Sequence, residues 1–143
     1  QFDKKEDKSK IYDIVYCGYL HKLKGLNNLM AYAKANPQRR ISVFGWGDLN
    51  PATLFEGFDN ITFEGSKTHE EIAEVFKQSK AVFHSPIVNE PFCRMIGEAL
   101  LCGVEEVIGN TEKIGSYLEF KNIGYEKFKE ECENAASIFW EKV

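Results

Sequence analysis

Two carboxylates, Glu90 and Glu98, stand eight positions apart in a segment whose composition favours the start of a helix. A helix rises about 1.5 Å per residue, so this spacing separates the two by roughly 12 Å along the helix axis. Carboxylates accept hydrogen bonds from hydroxyl groups, and the free amides at a helix start bind anions. The arrangement therefore fits a diphosphate with a sugar at each end, although one dipole-favoured and one solvated glutamate would explain the same spacing.

The segments around these glutamates alternate between strand-like and helix-like patterns. Short apolar runs predict strands, and Thr68 with Glu71 forms a capping box that predicts a helix start. Pro91 suits a first helical turn and Gly103 a C-terminal cap, so these two bracket the helix that carries Glu98. The predicted strands cover residues 11–18, 40–45, 61–65, 81–85 and 106–109. The predicted helices cover 25–36, 69–79, 91–102 and 124–143, with a short turn or helix around 51–58.

This alternation predicts an α/β fold, a three-layer Rossmann-like domain in which helices cover both faces of a parallel sheet. In such sheets, ligands bind at the carboxyl ends of the strands, where the strand order reverses. The loops to search therefore follow Gly18, Gly45, Gly65, Ser85 and Gly109.

The composition is that of an ordinary globular domain. The chain has 143 residues, of which 43% are apolar and 28% charged, enough for one domain with its own core. Residues 1–10 are mostly charged and predict a linker or frayed terminus, so the domain is expected to occupy 11–143. With 18 basic and 22 acidic residues, the net charge of −4 argues against a nucleic-acid binder.

Four cysteines are scattered along the chain, at positions 17, 93, 102 and 132. They form neither a C-x-x-C pair nor a zinc-binding spacing, which indicates core thiols in a reducing compartment. No apolar run reaches the roughly 18 to 20 residues that span a bilayer, and no signal-peptide pattern occurs. We therefore expect a soluble, cytoplasmic protein. Because the chain starts at Gln1 rather than Met, we also expect either a trimmed chain or a piece of a longer polypeptide.

The segment EPFCRMIGEALLCG, residues 90–103, resembles the E-x7-E motif of the retaining GT-B glycosyltransferases of group 1, written E-x-F-G-x4-E-A-x3-G. Further segments are similar to that family's motifs and follow the family's order. They are IVYCGYL with a following Lys24-Gly25, VFGWG after the second strand, and the strand–helix–strand unit within residues 61–83. The resemblance covers about residues 11–120 and implies the C-terminal, donor-binding half of such an enzyme.

The resemblance also implies a role for each matching residue. Glu90 would hold hydroxyls of the transferred sugar, and Glu98 would hold the ribose of the nucleotide. Lys24 would neutralise phosphate charge as the leaving group departs, so Glu90 and Lys24 are the expected catalytic residues. The other expected donor-binding positions are the amides of Phe92, Cys93 and Arg94, the turn at Gly18 and Tyr19, and the nucleobase-reading backbone around Phe63 and Gly65.

Four positions depart from the family pattern. Tyr19 stands where the family has a phosphate-binding arginine. Cys93 replaces a glycine and would be strained if that position required a positive φ. Pro91 removes an amide that would otherwise face phosphate, and Glu105 replaces a proline before the fifth strand. With Tyr19 uncharged, the remaining candidate cations for phosphate are Lys24 with Lys22, His21 or Arg94.

Other residues are weaker candidates on their type alone. His84, in the fourth predicted strand, is more typical of a satisfied, partly buried side chain, and His69, in a first helical turn, of an exposed one. Trp46 either lines a pocket or covers the sheet. Because no Asp-x-Asp pair occurs, the sequence predicts no metal-held diphosphate.

These observations predict the nucleotide-sugar-binding domain of a retaining hexosyltransferase, with no metal and no further cofactor. The resemblance implies that an N-terminal domain, absent from this chain, holds the acceptor, so the chain alone should transfer little or no sugar. It also leaves room for peripheral attachment of the full enzyme to the inner face of the membrane. The alternatives are a non-catalytic binding or scaffold domain, which Tyr19 would permit, and a flavodoxin-like module, which the first loop disfavours.

Overall fold

The computed structural model describes residues 10–20, 25–86 and 93–141, with side chains up to residue 133. The strands in these residues are β1 (Tyr12–Leu20), β2 (Ile41–Gly47), β3 (Ile61–Gly65), β4 (Ser79–Phe83) and β5 (Glu106–Ile108). The helices are α1 (Leu26–Ala35), α2 (Pro51–Leu54), α3 (His69–Lys77), α4 (Arg94–Leu101), α5 (Gly115–Ile123) and α6 (Tyr125–Glu141), and a 3-10 turn covers Thr111–Lys113.

The five strands form one parallel sheet in the order β3-β2-β1-β4-β5. The chain adds β2 and β3 on one side of β1, and then β4 and β5 on the other side. The carboxyl ends of β1 and β4 therefore flank the point where the strand order reverses, which is where sheets of this kind bind ligands. The predicted α/β, Rossmann-like fold class is confirmed.

Side chains alternate along β1 and build a core on each face of the sheet. Ile14 and Tyr16 pack with α1 on one face. Val15 and Cys17 pack on the other face with apolar residues of α3, α4 and α6. The central strand is thus buried on both faces, as its near-continuous apolar sequence requires.

The four cysteines remain thiols. Cys17 and Cys102 lie in the core, as expected, and burial raises the pKa of both thiols to about 12. Cys93 and Cys132 are only partly buried.

An ion pair joins two elements at the amino edge of the sheet. The Arg39 guanidinium donates from Nε and from a terminal nitrogen to the two carboxylate oxygens of Asp13, each at 2.8 Å. The amide of Arg40 donates to the same carboxylate at 3.1 Å. These bonds tie the start of β1 to the segment that enters β2.

Several predicted boundaries differ from the structure. β1 continues to Leu20 rather than ending at residue 18, and β4 covers Ser79–Phe83 rather than residues 81–85. The buried Ser79 hydroxyl donates to the Val75 carbonyl, so this residue satisfies the end of α3 while it starts the strand. The helix predicted over 91–102 is observed from Arg94 onward, and residues 91 and 92 lie outside the described residues.

The sequence analysis did not predict α5. This helix begins after Ile114, which supplies no side-chain cap, and its first turn holds no acidic residue. Neither of the usual signals for a helix start is present. Its position is set instead by burial of Ile114 and Ser116.

Candidate functional site

The predicted site lies at the carboxyl edge of the sheet. The described residues that flank segments 21–24 and 87–92 lie at this edge, and these two segments carry the predicted catalytic residues Lys24 and Glu90. Those two residues and Phe92 lie outside the described residues. Their predicted roles therefore stay predictions, and the geometry of the site comes from the residues around them.

Gly25 brings the flanks of these two segments into contact. It has a φ of 78°, and a Cβ built on it would overlap with the backbone carbonyl of Ser85. Three residues further along α1, the Asn28 side-chain amide donates to the Ser85 hydroxyl at 3.0 Å. The chain that follows Lys24 thus contacts the chain that precedes the Glu90 segment.

Glu98 is held from two helices. Arg94, one turn earlier on α4, donates from Nε to Glu98 Oε1 at 2.8 Å. His69, the first residue of α3, lies with Nε2 at 3.1 Å from the same oxygen. The Glu98 side chain is only 17% exposed, so the carboxylate is fixed in place rather than solvated.

Glu98 forms part of the wall of an open cleft of about 440 Å³. Among the residues that the structure describes, His69, Arg94 and Met95 line it as well. The cleft thus combines a carboxylate that accepts hydrogen bonds with a guanidinium and an imidazole that donate them. It offers polar contacts for a ligand that carries both hydroxyl groups and negative charge.

Cys93 precedes α4 in an extended conformation, with a φ of −100°. The side chain that replaces the family's glycine is therefore unstrained at this position. The Cys93 amide donates to the Ser116 hydroxyl at 3.3 Å, and that hydroxyl donates to the Cys93 carbonyl at 3.2 Å. Sγ lies 3.5 Å from Nε2 of His84, which follows β4 directly rather than lying within it and is buried rather than partly buried. Ser116 on α5 thus fixes the backbone at the start of α4.

Tyr19 faces an acidic neighbour at the end of β1. Its hydroxyl donates to Asp48 Oδ1 at 2.9 Å, and its ring contacts the edge of Trp46 with centroids 6.0 Å apart. Because the Tyr19 hydroxyl donates a hydrogen bond to Asp48 and the negative charge of that carboxylate disfavours a phenolate, the pKa of Tyr19 is raised. Gly18 pairs with Gly45 beneath this group. The position that carries arginine in the family pattern here holds a neutral phenol beside a carboxylate.

Phe63 and Gly65 lie on β3, the outer strand at this side of the sheet. Phe63 is 39% exposed. The chain after Gly65 returns toward the centre, because the Ser66 hydroxyl donates to the Gly45 carbonyl at 3.4 Å and His69 then reaches Glu98. The short segment between Gly65 and His69 therefore connects the predicted nucleobase region to the residue that contacts Glu98.

Sequence reasoning missed the contributions of His69, Asp48 and Ser116. The capping box formed by Thr68 and Glu71 gave a signal for the first, because it fixes the start of α3 directly after a strand end. No local pattern pairs His69 with a residue 29 positions away. Asp48 and Ser116 have no sequence signal beyond their residue types.

Two further findings concern the described part of the chain. It contains no group of three or more His, Cys, Asp or Glu side chains arranged to hold a metal ion. It also contains no helix with the length and apolar character needed to cross a membrane.

A parallel sheet of this order, with a polar cleft at the carboxyl edge, defines a Rossmann-like ligand-binding domain. The chain belongs to the family described as glycosyl transferases group 1, which matches residues 1–136. A search of curated proteins gave no match.

Solved glycosyltransferases of the GT-B type share the fold at low sequence identity. A structure of HepE from Anabaena in complex with UDP-glucose is 20% identical with a TM-score of 0.58, and the match covers 78% of this chain and 37% of that one. A structure of AviGT4, a glycosyltransferase involved in avilamycin A biosynthesis, is 18% identical with a TM-score of 0.56, covering 71% and 33%. The chain therefore spans about a third of the length of these proteins.

Proposed function

We propose that this domain binds a nucleoside-diphosphate sugar at the carboxyl edge of its sheet and supplies the donor half of a retaining hexosyltransferase. The observation that carries the proposal is Glu98, a carboxylate held by Arg94 and His69 in the wall of a cleft beside the reversal of strand order. The HepE structure with UDP-glucose supports the same ligand class.

In this proposal, different groups of the protein bind different parts of the ligand. Glu98 accepts hydrogen bonds from the ribose hydroxyls, because an ionised carboxylate is only an acceptor and repels phosphate. The amino end of α4 attracts the diphosphate. Glu90 holds hydroxyls of the transferred sugar, and Lys24 neutralises phosphate charge while the bond between the anomeric carbon and the phosphate oxygen breaks.

The acceptor is held elsewhere in this proposal. GT-B enzymes close their cleft with a second domain, and the chain spans only about a third of the structures that it resembles. The departing nucleoside diphosphate would be replaced by an acceptor oxygen with retained configuration at the anomeric carbon. The isolated chain is expected to bind the donor and to transfer little or no sugar.

A second candidate function, binding without turnover, is favoured by one observation. Tyr19 donates to Asp48 at the position where the family pattern has an arginine. A phenol beside a carboxylate stabilises a leaving diphosphate less well than a guanidinium does. A domain of this kind would recognise the nucleotide sugar as a partner or regulator.

Calorimetric and thermal-unfolding titrations with UDP, GDP, ADP and dTDP sugars test the proposal. A ligand at a hundredfold excess over its dissociation constant should stabilise the fold by about 2.7 kcal/mol. We expect Glu98→Gln to weaken binding by about tenfold, since it removes the charge from a hydrogen-bonding acceptor.

Glu105→Gln is the matched control for that charge change. Glu105 is exposed and immediately precedes β5, at the opposite edge of the sheet from the site. The Glu105→Gln variant should bind the nucleotide sugar with the same affinity as the unmodified chain. Absence of any response across the panel, or equal losses in the two variants, would contradict the proposal. Donor turnover after addition of an acceptor domain would separate the transferase from the second candidate.

A further inference from the structure

His69 contacts Glu98 from a second structural element, and nothing in the sequence pattern assigns it a role. It is the first residue of α3, and a capping box determines where that helix begins. The Thr68 hydroxyl accepts from the Glu71 amide at 3.2 Å, and the Glu71 carboxylate accepts from the Thr68 amide at 2.8 Å. This reciprocal cap fixes the backbone that directs His69 toward α4.

The two contacts to Glu98 constrain it differently. Arg94 lies on the same helix, and its side chain is 79% exposed, so water competes for its bond. His69 approaches from α3, with its side chain 49% exposed. Because an ionised carboxylate only accepts, His69 Nε2 carries the proton in this contact. The imidazole thereby ties Glu98 to an element other than its own helix.

Both donors use the same oxygen of the carboxylate. Arg94 and His69 each bond Oε1, and among the described residues no group donates to Oε2. Two donors saturate the lone pairs of Oε1, which leaves those of Oε2 for a ligand. A carboxylate oxygen oriented in this way suits hydroxyl donors, and a ribose presents two of them on adjacent carbons.

We propose that His69 is a positioning residue that orients Glu98 toward the ribose and sets a preference for ribonucleotides over 2′-deoxyribonucleotides. This inference rests on the proposed function, since it assumes that Glu98 binds the ribose. A 2′-deoxyribose lacks one hydroxyl donor, so it gains less from a correctly oriented Oε2. Loss of the His69 side chain should therefore weaken binding of the ribonucleotide more than binding of the deoxyribonucleotide.

The test measures dissociation constants by calorimetry for three matched pairs: UDP and dUDP, ADP and dADP, GDP and dGDP. For the pair that binds best, we expect the chain to prefer the ribose form by about tenfold, the effect of one hydrogen bond to a charged group. His69→Ala should bring this ratio close to one while binding of the deoxy form changes less than about twofold. His69→Gln, which retains an N–H donor, should recover most of the ratio.

Two further variants separate positioning from a structural effect. His69→Asn keeps a donor and a good helix start but is too short to reach Glu98, so it should behave like His69→Ala. Glu70→Ala changes an exposed neighbour in the same first turn and should keep the full ratio. Circular dichroism melts show whether each variant is folded at the temperature of the titration.

The outcomes distinguish this inference from the proposed function. If the chain binds none of the six nucleotides, the inference is overturned, and the titration with the nucleotide-sugar panel decides separately whether the proposed function stands. If it binds them with a ribose preference that His69→Ala and His69→Asn retain, only the role of His69 is overturned. If it binds both forms of each pair equally well, Glu98 does not read the 2′-hydroxyl, and the inference is overturned while nucleotide binding stands.

Discussion

Glu98 illustrates how a single side chain becomes a recognition group through its neighbours. A solvated glutamate on a helix samples several rotamers and must lose that freedom when it binds a ligand. Here two donors hold one carboxylate oxygen, and the side chain is mostly buried. Much of the ordering is therefore complete before the ligand arrives, which favours affinity.

Asp48 provides a prediction at the scale of single residues. Its carboxylate accepts from Tyr19 at the carboxyl end of β1, near the expected diphosphate. Asp48→Asn removes a negative charge from this edge, so we expect the affinity for a nucleoside diphosphate to rise a few-fold, most clearly at low salt. Calorimetry at two ionic strengths measures the change.

Asp59→Asn is the control for Asp48→Asn. Asp59 is exposed and lies just before β3, at the amino edge of the sheet, so its loss alters the net charge equally but not the local field. An unchanged affinity in Asp48→Asn, or the same gain in both variants, would show that Asp48 does not face the phosphates.

The residue types of the site were predictable, but their contacts were not. Glu98 stood out because of its eight-residue spacing from Glu90, and Arg94 because of its place in the family motif. The bond from His69 to Glu98 spans 29 positions, and the bond from Tyr19 to Asp48 spans the same number. Such contacts depend on how helices and loops pack, which no local spacing encodes.

The Asp13–Arg39 ion pair gives a prediction at the scale of elements, because it joins β1 to the segment before β2. Hydrogen bonds from Arg39 lower the pKa of Asp13 below its usual 3.8. A carboxyl whose pKa is lower in the folded state stabilises the fold above the unfolded pKa, and this stabilisation is lost as the pH falls through the folded pKa. Asp13→Asn should lower the free energy of unfolding by about 1–2 kcal/mol near neutral pH.

Urea unfolding followed over pH measures this effect. The difference between Asp13→Asn and the unmodified chain should be constant above about pH 5 and shrink as the pH falls from the unfolded pKa through the folded pKa. Glu105→Gln, an exposed carboxyl at the same edge with no partner in the described residues, should cost little at any pH. A pH-independent loss in Asp13→Asn would mean that the ion pair does not carry the stabilisation.

Gly25 gives a second prediction at this scale, because it lies where α1 meets the end of β4. Gly25→Ala adds a Cβ to a residue in the left-handed region and drives it into the Ser85 carbonyl. We expect a loss of roughly 2–4 kcal/mol, from backbone strain together with overpacking. Chemical denaturation of the variant measures it.

Gly57→Ala separates the two causes of that loss. Gly57 has a φ of 85°, but nothing lies within 4 Å of a Cβ built there. Gly57→Ala should therefore lower the free energy of unfolding by only about 1–2 kcal/mol, from backbone strain alone. Equal losses in the two alanine variants would be inconsistent with a close contact between Gly25 and Ser85.

Elements with strong local signals were predicted well. The capping box placed the start of α3 correctly, and the apolar runs identified all five strands of the sheet with errors of about two residues at their ends. The helix α5 was missed because its start carries no cap and its position depends on burial of Ile114 and Ser116. Tertiary packing rather than propensity decides such a helix.

At the scale of the whole molecule, alternation of strands and helices determined the fold class but not the order of the strands. The observed order puts the ends of β1 and β4 side by side, and this juxtaposition brings the flanks of segments 21–24 and 87–92 together. The family resemblance predicted that these two segments share one site. Neither composition nor periodicity alone could have paired them.

The central claim is that a nucleoside-diphosphate sugar binds at the carboxyl edge of the sheet beside Glu98. Amide chemical-shift mapping of the isotopically labelled chain, titrated with the panel of nucleotide sugars, tests it most directly. We predict that one member of the panel perturbs the amides of His69, Arg94 and Glu98 and leaves those of Asp13 and Glu105 unchanged. Perturbations confined to the amino edge, or none with any member, would contradict the account.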